Sequence, residues 1–221
     1  MSVKFYKSEN QVPLEMHKVR VVQKLNLLPV DERLRAIQKA GNNTFLLQNK
    51  DIYLDMLTDS GVNAMSDRQT AAMHLADDAY AGSETFNRLK AAMKEVFGTD
   101  NVLPAHQGRA CENILAERFV KPGTVAIMNF HFTTTKAHVT RCGGEVVEVL
   151  HKKGLIPQSD DPFKGDMDLQ ELRRVIEQYT PEKVAYVRVE AGTNLIGGQP
   201  VSLENMLAVA DICHEFGVPS I

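Results

Sequence analysis

The sequence predicts an α/β protein with a mainly parallel sheet. From about residue 100 onward, short apolar runs such as Thr124–Met128 alternate with amphipathic segments of helical length. Capping residues and glycines mark where these helical segments begin and end. Strands that are buried on both faces read as continuous apolar runs, and strands that alternate with helices form βαβ units. We therefore expect parallel strands covered by helices on both faces.

Composition excludes several classes of protein. The chain has 221 residues, of which 43% are hydrophobic and 24% are charged, and its formal net charge is −3. This balance is typical of a globular protein and offers no basic surface for nucleic acid or anionic membranes. No apolar run is long enough to span a bilayer, and the N-terminal segment lacks the apolar core of a signal peptide. We expect no nucleic-acid or membrane partner.

The three cysteines indicate the cellular compartment. Cys111, Cys142 and Cys213 are odd in number and far apart, and no Cys-x-x-Cys pair occurs. That pattern excludes a disulfide scaffold and a zinc module, and it is typical of the reducing cytoplasm. The sequence predicts a cytoplasmic protein.

The first third of the chain predicts helices more clearly than strands. Residues 1–30 show no period and are expected to form an N-terminal arm. A helix is predicted over Asp31–Ala40 with Asp31 as its cap, and Ile52–Leu57 alternates in the manner of a strand. Ser66 is expected to cap a helix that reaches Leu75, and Ser83 a helix that ends before Gly98.

The remainder of the chain alternates between strands and helices. The predicted strands are Asn101–Pro104, Thr124–Met128, Glu145–Leu150 and Lys183–Val189. The predicted helices are Arg109–Phe119, Thr134–Cys142, one capped by Asp168 and one capped by Ser202. Val218–Ile221 then has the composition of a further buried strand. A complete domain rarely ends there, so we expect an N-terminal portion of a longer protein, with a short terminal tail as the alternative.

A turn between a predicted strand and a predicted helix has the parts of a phosphate-binding site. Gln107 precedes Gly108, which lets a ligand approach the backbone closely, and the helix N-terminus presents free N–H groups. Arg109 adds a planar positive group that can pair with phosphate. A plain strand–helix turn with a surface arginine explains the same residues equally well.

Two further loops follow predicted strands. Phe130 and Phe132 lie on the same side of an extended segment, so either ring could stack on a flat heteroaromatic ligand, while one of them, Phe130 rather than Phe132, is expected to pack in the core. The carboxamide of Asn194 could hold a ring oxygen, although a helix-entry turn explains that loop as well. His131 and His138 lack the spacing and acidic company of metal ligands. Because the carboxyl ends of parallel strands share one edge, all three loops are expected to face one crevice.

Six sequence blocks resemble those of one known family. The blocks are Thr58–Asp67, Asp77–Ser83, Pro104–Arg109, Asn129–Thr135, Phe163–Asp166 and Gly197–Ser202. In order and spacing they resemble the aromatic amino-acid β-eliminating lyases, the family of tyrosine phenol-lyase and tryptophanase, from about Leu28 to the last residue. The resemblance implies the aspartate aminotransferase fold (type I) of pyridoxal-phosphate enzymes. It also implies a division into an N-terminal arm with the start of a small domain (1–57) and the N-terminal part of the cofactor-binding large domain (58–221).

The resemblance assigns the cofactor contacts by position. Gln107, Gly108 and Arg109 would hold the phosphate of pyridoxal phosphate, in agreement with the argument from the helix terminus. Phe132 would stack on the pyridine ring, and Asn194 would bond its phenolic oxygen.

The resemblance also implies substrate, ion and subunit contacts. Thr58 and Ser60 would lie near an aromatic amino-acid substrate, and Gly61 and Asp78 would match a site for potassium or ammonium. Tyr80 would protonate the leaving ring in a neighbouring subunit of a homotetramer, although a structural tyrosine in a glycine-flanked turn is the alternative.

The expected activity is cleavage of the Cβ–Cγ bond of tyrosine or tryptophan, which releases phenol or indole with pyruvate and ammonia. The residues leave the choice of substrate open. The lysine with which family members bind the cofactor covalently lies beyond the position that matches Ile221, so the 221-residue chain alone is expected to be inactive. The alternative is a truncated, non-catalytic paralogue that acts as a binding or oligomerisation module.

Overall fold

The computed structural model describes residues 3–4, 11–12, 26–55, 57 and 65–221. The chain divides into two compact units, Met1–Asn87 and Arg88–Ile221. In the first, a short antiparallel pair, β1 (Val3–Lys4) and β2 (Gln11–Val12), precedes the helices α1 (Val30–Lys39) and α2 (Asp67–Leu75). The helix α3 (Glu84–Phe97) crosses from the first unit into the second. The predicted division after residue 57 stays a prediction.

The predicted cap is wrong for α1 and confirmed for α2 and α3. Pro29 precedes α1, and Asp31 lies inside its first turn, where a negative charge is favourable beside the helix N-terminus. The Ser66 hydroxyl accepts a hydrogen bond from the Gln69 backbone N–H at 3.0 Å. At α3, the Phe86 backbone N–H donates to the Ser83 hydroxyl at 3.1 Å.

The predicted strand Ile52–Leu57 is not formed in its described residues. A 3₁₀ turn over Asn49–Asp51 leads into it, and the Asp55 carboxylate accepts a hydrogen bond from the Leu57 N–H at 2.9 Å. This is the local turn chemistry of an aspartate. A two-residue period predicts a strand only where a partner strand can pair with it.

The predicted strand Asn101–Pro104 is also wrong. The Thr99 hydroxyl accepts a hydrogen bond from the Asn101 N–H at 3.2 Å, and the side chain of Leu103 is 83% exposed. The residues have no regular secondary structure and no ladder partner among the described strands. The turn at residue 107 therefore follows a loop rather than a strand.

The second unit contains the predicted parallel sheet. Its three strands are β3 (Val125–Met128), β4 (Glu145–Glu148) and β5 (Val184–Arg188), and β3 pairs in parallel with both neighbours. Four helices accompany the sheet: α4 (Gly108–Phe119), α5 (Thr133–Arg141), α6 (Leu169–Tyr179) and α7 (Leu203–Phe216). The first two lie within one residue of their predicted bounds, and the other two begin directly after their predicted caps, Asp168 and Ser202. The α/β fold class is confirmed.

The residues after α7 continue the sheet beside β5. Ser220 bridges Val187 in parallel, and the Val187 N–H donates to the Pro219 carbonyl at 2.8 Å. The Ile221 N–H in turn donates to the Val187 carbonyl at 2.8 Å. This confirms that the Val-Pro-Ser-Ile segment has strand-like pairing.

Both faces of the sheet are buried, which explains why β3 reads as a continuous apolar run. One core cluster joins alternate sheet residues to α6 and α7: Val125, Ile127, Val187, Leu172, Ile176, Val209 and Ile212. The other joins the intervening residues to α4 and α5: Ala126, Met128, Tyr186, Ala116 and Val139. Each fully buried aliphatic side chain contributes about 1.5–3 kcal/mol to folding.

Side-chain caps fix the start of α6 and α7. The Asp168 carboxylate accepts hydrogen bonds from the N–H groups of Gln170 and Glu171 at 3.1 and 3.0 Å. The Ser202 hydroxyl accepts one from Asn205 at 3.1 Å. Both caps agree with the sequence prediction.

Among the described residues, no helix combines the length and apolar content that a membrane crossing requires.

Candidate functional site

A fully buried asparagine ties three segments together at the carboxyl edge of the sheet. Asn129 follows β3, and its Nδ2 donates to the carbonyls of Gly165 at 2.8 Å and Glu190 at 3.1 Å. The Glu190 N–H donates back to the Asn129 Oδ1 at 2.8 Å. A single carboxamide thus satisfies three buried backbone groups. Asn129 belongs to one of the sequence blocks described above, but its role in joining these three segments was not predicted.

The N-terminus of α4 is open. Gln107 is extended and its side chain makes no capping hydrogen bond, and Gln107, Gly108 and Arg109 are all exposed. A Cβ atom placed on Gly108 would meet no described heavy atom within 4 Å. The first-turn N–H groups of a helix carry a partial positive charge, so an uncapped first turn beside a guanidinium suits an anion. Gln107, Gly108 and Arg109 all lie at this helix start, and their role as phosphate contacts stays a prediction.

The N-terminus of α5 is also without a side-chain cap, because its N-cap residue is Phe132. Phe132 is half-buried and keeps part of its ring surface exposed. Phe130, which was expected to pack in the core, is also half-buried and stacks on the His131 ring, with 5.3 Å between centroids and 17° between planes. The His131 side chain and backbone N–H both contact the Glu148 carboxylate at the end of β4, the N–H at 3.0 Å. The expectation that Phe130 packs in the core is therefore wrong, because its ring stacks on a histidine that Glu148 holds in place.

Asn194 begins an exposed 3₁₀ turn after β5. Before it, Thr193 is buried, and both its backbone N–H and its hydroxyl donate to the Gln199 carbonyl, at 3.0 and 3.1 Å. After it, Gly197 and Gly198 have φ of +92° and +68°, which residues with a Cβ rarely adopt. The glycine pair therefore shapes the loop and leaves the Asn194 carboxamide on the surface.

Two of the sequence blocks pack against each other as scaffold. A Cβ on Gly165 would lie 2.7 Å from the Gln199 carbonyl oxygen and 2.8 Å from that of Pro200, so only glycine allows the two loops to cross this closely. Beside the crossing, the Asp166 carboxylate accepts hydrogen bonds from the Ser202 N–H at 2.7 Å and hydroxyl at 3.0 Å. The Phe-Lys-Gly-Asp block thus supports the loop that carries Asn194.

A cluster of largely buried charged and hydroxyl groups joins α4, α5 and β5. Glu112 accepts hydrogen bonds from the hydroxyls of Thr134 at 2.5 Å and Thr135 at 2.6 Å. Arg188 lies 3.2 Å from the Glu112 carboxylate and 2.7 Å from that of Glu190, and it also donates to the Thr135 hydroxyl. The side chains of the three charged residues are only 15–20% exposed. None of the sequence motifs described above predicts this cluster.

The two carboxylates of the cluster differ in their pKa shifts. Burial alone would raise the pKa of Glu112, but hydrogen bonds from Thr134 and Thr135, together with the charge of Arg188, hold it below its usual value. Burial raises the pKa of Glu190, and the attraction of Arg188 only partly opposes this effect. The Oε2 atom of Glu190 is buried and accepts no hydrogen bond from the described residues, although Arg188 Nη2 is 2.7 Å away.

In the first unit, an aspartate forms hydrogen bonds that join the two ends of the loop that carries Tyr80. The Asp77 carboxylate accepts hydrogen bonds from the Ser83 hydroxyl at 2.9 Å and from the N–H groups of Glu84 and Thr85 at 2.8 and 3.0 Å. Hydrogen bonding from Thr85, followed by that from Ser83 and Glu84, holds the pKa of Asp77 well below its usual range. Tyr80 is fully exposed at the tip of this loop. An Asp six residues before a capping Ser is the sequence signal for this closure.

The substrate and ion residues are only partly described. Thr58, Ser60 and Gly61 lie outside the described residues. Asp78 is described and exposed, next to the Asp77 closure. The roles that the resemblance assigned to all four stay predictions.

A parallel three-stranded sheet with helices packed on both faces defines an α/β protein. That its loops face one ligand crevice stays a prediction. Residues 55–221 match the family model described as beta-eliminating lyase. The chain belongs to this family.

Several curated proteins similar to this chain are tyrosine phenol-lyases. The one from Nostoc punctiforme is 44% identical over 204 residues, covering 92% of this chain and 44% of that protein. The one from Clostridium tetani is 42% identical over 209 residues, covering 95% of this chain and 45% of that protein. The chain thus spans less than half the length of these relatives.

Two solved structures that resemble this chain are more distant in sequence. A complex of SepCysS with the SepCysE N-terminal domain matches with a TM-score of 0.48 and 17% identity, over 69% of this chain and 39% of that chain. Cystalysin from Treponema denticola, a structure that contains pyridoxal 5'-phosphate, matches with a TM-score of 0.47 and 16% identity, over 68% of this chain and 37% of that chain.

Proposed function

We propose that this chain is the N-terminal part of a pyridoxal-phosphate-dependent lyase that cleaves the Cβ–Cγ bond of an aromatic amino acid. Membership of the beta-eliminating lyase family carries the proposal. The names of the relatives favour tyrosine as substrate, with phenol, pyruvate and ammonia as products. Tryptophan is the second substrate to test.

The described residues fit the phosphate end of the cofactor. Gln107, Gly108 and Arg109 stand at an open helix N-terminus, where N–H groups and a guanidinium can bind a dianion. A charge-assisted hydrogen bond from Arg109 would contribute about 1.5–3 kcal/mol. Phe132 stands at the start of α5, and its ring is partly exposed, so a flat ring can stack on it. Asn194 lies in the loop after β5, and its exposed carboxamide can donate to an oxygen of that ring.

The bound cofactor supplies an electron sink for the charge that develops at the substrate α-carbon. The residues of this chain bind and orient the reactants. Tyr80 is proposed to donate its phenolic proton to the ring carbon of the leaving group. A phenolic hydroxyl is one of the side-chain groups that can act as a general acid. Its exposure on a loop closed by Asp77 supports action on a neighbouring subunit's site.

The proposal extends to the assembly and its ions. We propose a homotetramer in the cytoplasm, with Thr58 and Ser60 close to the substrate. Gly61 and Asp78 would bind potassium or ammonium, for which Asp78 offers a carboxylate ligand.

The test uses the protein encoded by the complete gene. Wild type should bind pyridoxal phosphate, measured by its visible absorbance, and should release phenol from tyrosine or indole from tryptophan. Arg109→Ala should weaken cofactor affinity by about 10- to 100-fold. Arg118→Ala is the matched control, because Arg118 is exposed in the last turn of the same helix. Wild type that binds no cofactor contradicts the proposal, and a folded protein that binds it without lyase activity supports the non-catalytic paralogue instead.

A further inference from the structure

Three elements that carry proposed cofactor residues meet at one arginine. Glu112 lies one turn after Arg109 on α4, and Thr135 lies in the first turn of α5, just after Phe132. Arg188 ends β5, six residues before Asn194. Its guanidinium contacts Glu112 at 3.2 Å and also donates to the Thr135 hydroxyl.

The position of Arg188 follows from the strand. Alternate residues of a strand point to opposite faces, and Tyr186, two residues earlier, packs in the cluster with α4 and α5. Arg188 therefore points to the same side, where it meets Glu112 of α4 and Thr135 of α5. A lysine could supply the charge there, but only the planar fork of arginine can bond two partners at fixed angles.

Arg188 carries the positive charge that lies within 3.2 Å of both carboxylates of the cluster. Glu112 and Glu190 are both largely buried, and the Glu190 Oε2 accepts no hydrogen bond from the described part of the chain. Without Arg188, two like charges would remain in a poorly solvated site. Such a site responds by neutralising a carboxylate, admitting water or moving the elements apart.

We propose that Arg188 is a positioning residue, which holds the first turns of α4 and α5 against the end of β5 so that the phosphate and ring contacts of the cofactor are formed together. The inference rests on the proposed function, since it presumes that the cofactor binds at these turns. Arg188 itself does not touch the cofactor. Its effect is transmitted through Glu112 to the α4 turn and through Thr135 to the α5 turn.

The experiment measures pyridoxal-phosphate affinity and the visible circular dichroism of the bound cofactor in the full-length protein. Arg188→Met should weaken affinity by about 10- to 100-fold and reduce the dichroism even at saturating cofactor. Arg188→Lys should fall between Arg188→Met and wild type. Adding Glu190→Gln to Arg188→Met should recover part of the lost affinity, because one of the two buried like charges is removed.

Two controls separate positioning from stability. Leu172→Ala leaves a cavity in the core on the opposite face of the sheet, so it should lower the urea midpoint and leave cofactor affinity and dichroism unchanged. Arg174→Met removes an exposed arginine that pairs with Glu171 on α6 and should change neither property.

The possible results separate a failure of the positioning role of Arg188 from a failure of the proposed function. Affinity within twofold of wild type in Arg188→Met, or an equal loss in Leu172→Ala, overturns it while the proposed function stands. If Arg188→Met does not fold, Arg188→Lys carries the test, and an unchanged affinity and dichroism in that variant overturn the inference. Wild type that fails to bind the cofactor overturns the proposed function and, with it, this inference.

Discussion

Replacing Asn129 by alanine should loosen the carboxyl edge of the sheet. The change removes three hydrogen bonds at once and leaves the carbonyls of Gly165 and Glu190 and the N–H of Glu190 without their partner. Each buried hydrogen bond contributes about 0.5–1.5 kcal/mol, so the free energy of local opening should fall by about 1.5–4.5 kcal/mol. Since 1.4 kcal/mol corresponds to a factor of ten, protection against hydrogen exchange should fall by about 10- to 1,000-fold.

Hydrogen exchange followed by mass spectrometry measures this loss in peptides that contain residues 129, 165 and 190. Asn113→Ala is the matched control, because Asn113 is half-buried on α4 and its side chain bonds the side chains of Glu117 and Arg141. The control should leave these peptides unchanged. Unaltered exchange near Glu190 in Asn129→Ala, or the same loss in Asn113→Ala, would refute the reasoning.

Two predictions concern the loop of the first unit. Tyr80→Phe in the full-length protein should bind pyridoxal phosphate normally but release phenol about 10²–10⁴ times more slowly, the range for loss of a general acid, and unchanged turnover in a phenol assay would make Tyr80 structural. The folded pKa of Asp77 is lowered, so its stabilisation should be complete above the unfolded pKa of about 3.9 and be lost as the pH falls through the folded pKa. Hydrogen exchange at Glu84 and Thr85, corrected for intrinsic rates, should show this pH dependence in wild type and lack it in Asp77→Asn; equal profiles would contradict it.

Local chemistry made most of the helices predictable from the sequence. Ser66, Asp168 and Ser202 each bond an N–H within three residues along the chain, so their hydroxyl or carboxylate is sufficient to mark the helix start. Strands depend on partners elsewhere. Ile52–Leu57 has the right alternation, but the chain brings no neighbouring strand to it among the described residues.

The charged cluster could not be predicted for a related reason. Glu112 and Arg188 are far apart in the sequence, and isolated charged residues are usually exposed. Only the meeting of α4, α5 and β5 buries them together. The one local hint is that Arg188 is the charged last residue of β5, at a position that shares its face with the buried Tyr186.

The sequence blocks that revealed the family contain two kinds of residue, which the structure separates by burial. Asn129 and Gly165 are buried at chain crossings, where another side chain would leave backbone groups unpaired or would clash. Arg109 and Asn194 are exposed, and each occupies a surface that neighbouring contacts hold in place. Arg109 and Asn194 remain available to bind a ligand, because the buried residues already let the surrounding backbone N–H and C=O groups form their hydrogen bonds. Substitutions at the buried positions should therefore impair binding through loss of geometry, whereas substitutions at the exposed positions should impair it with the fold intact.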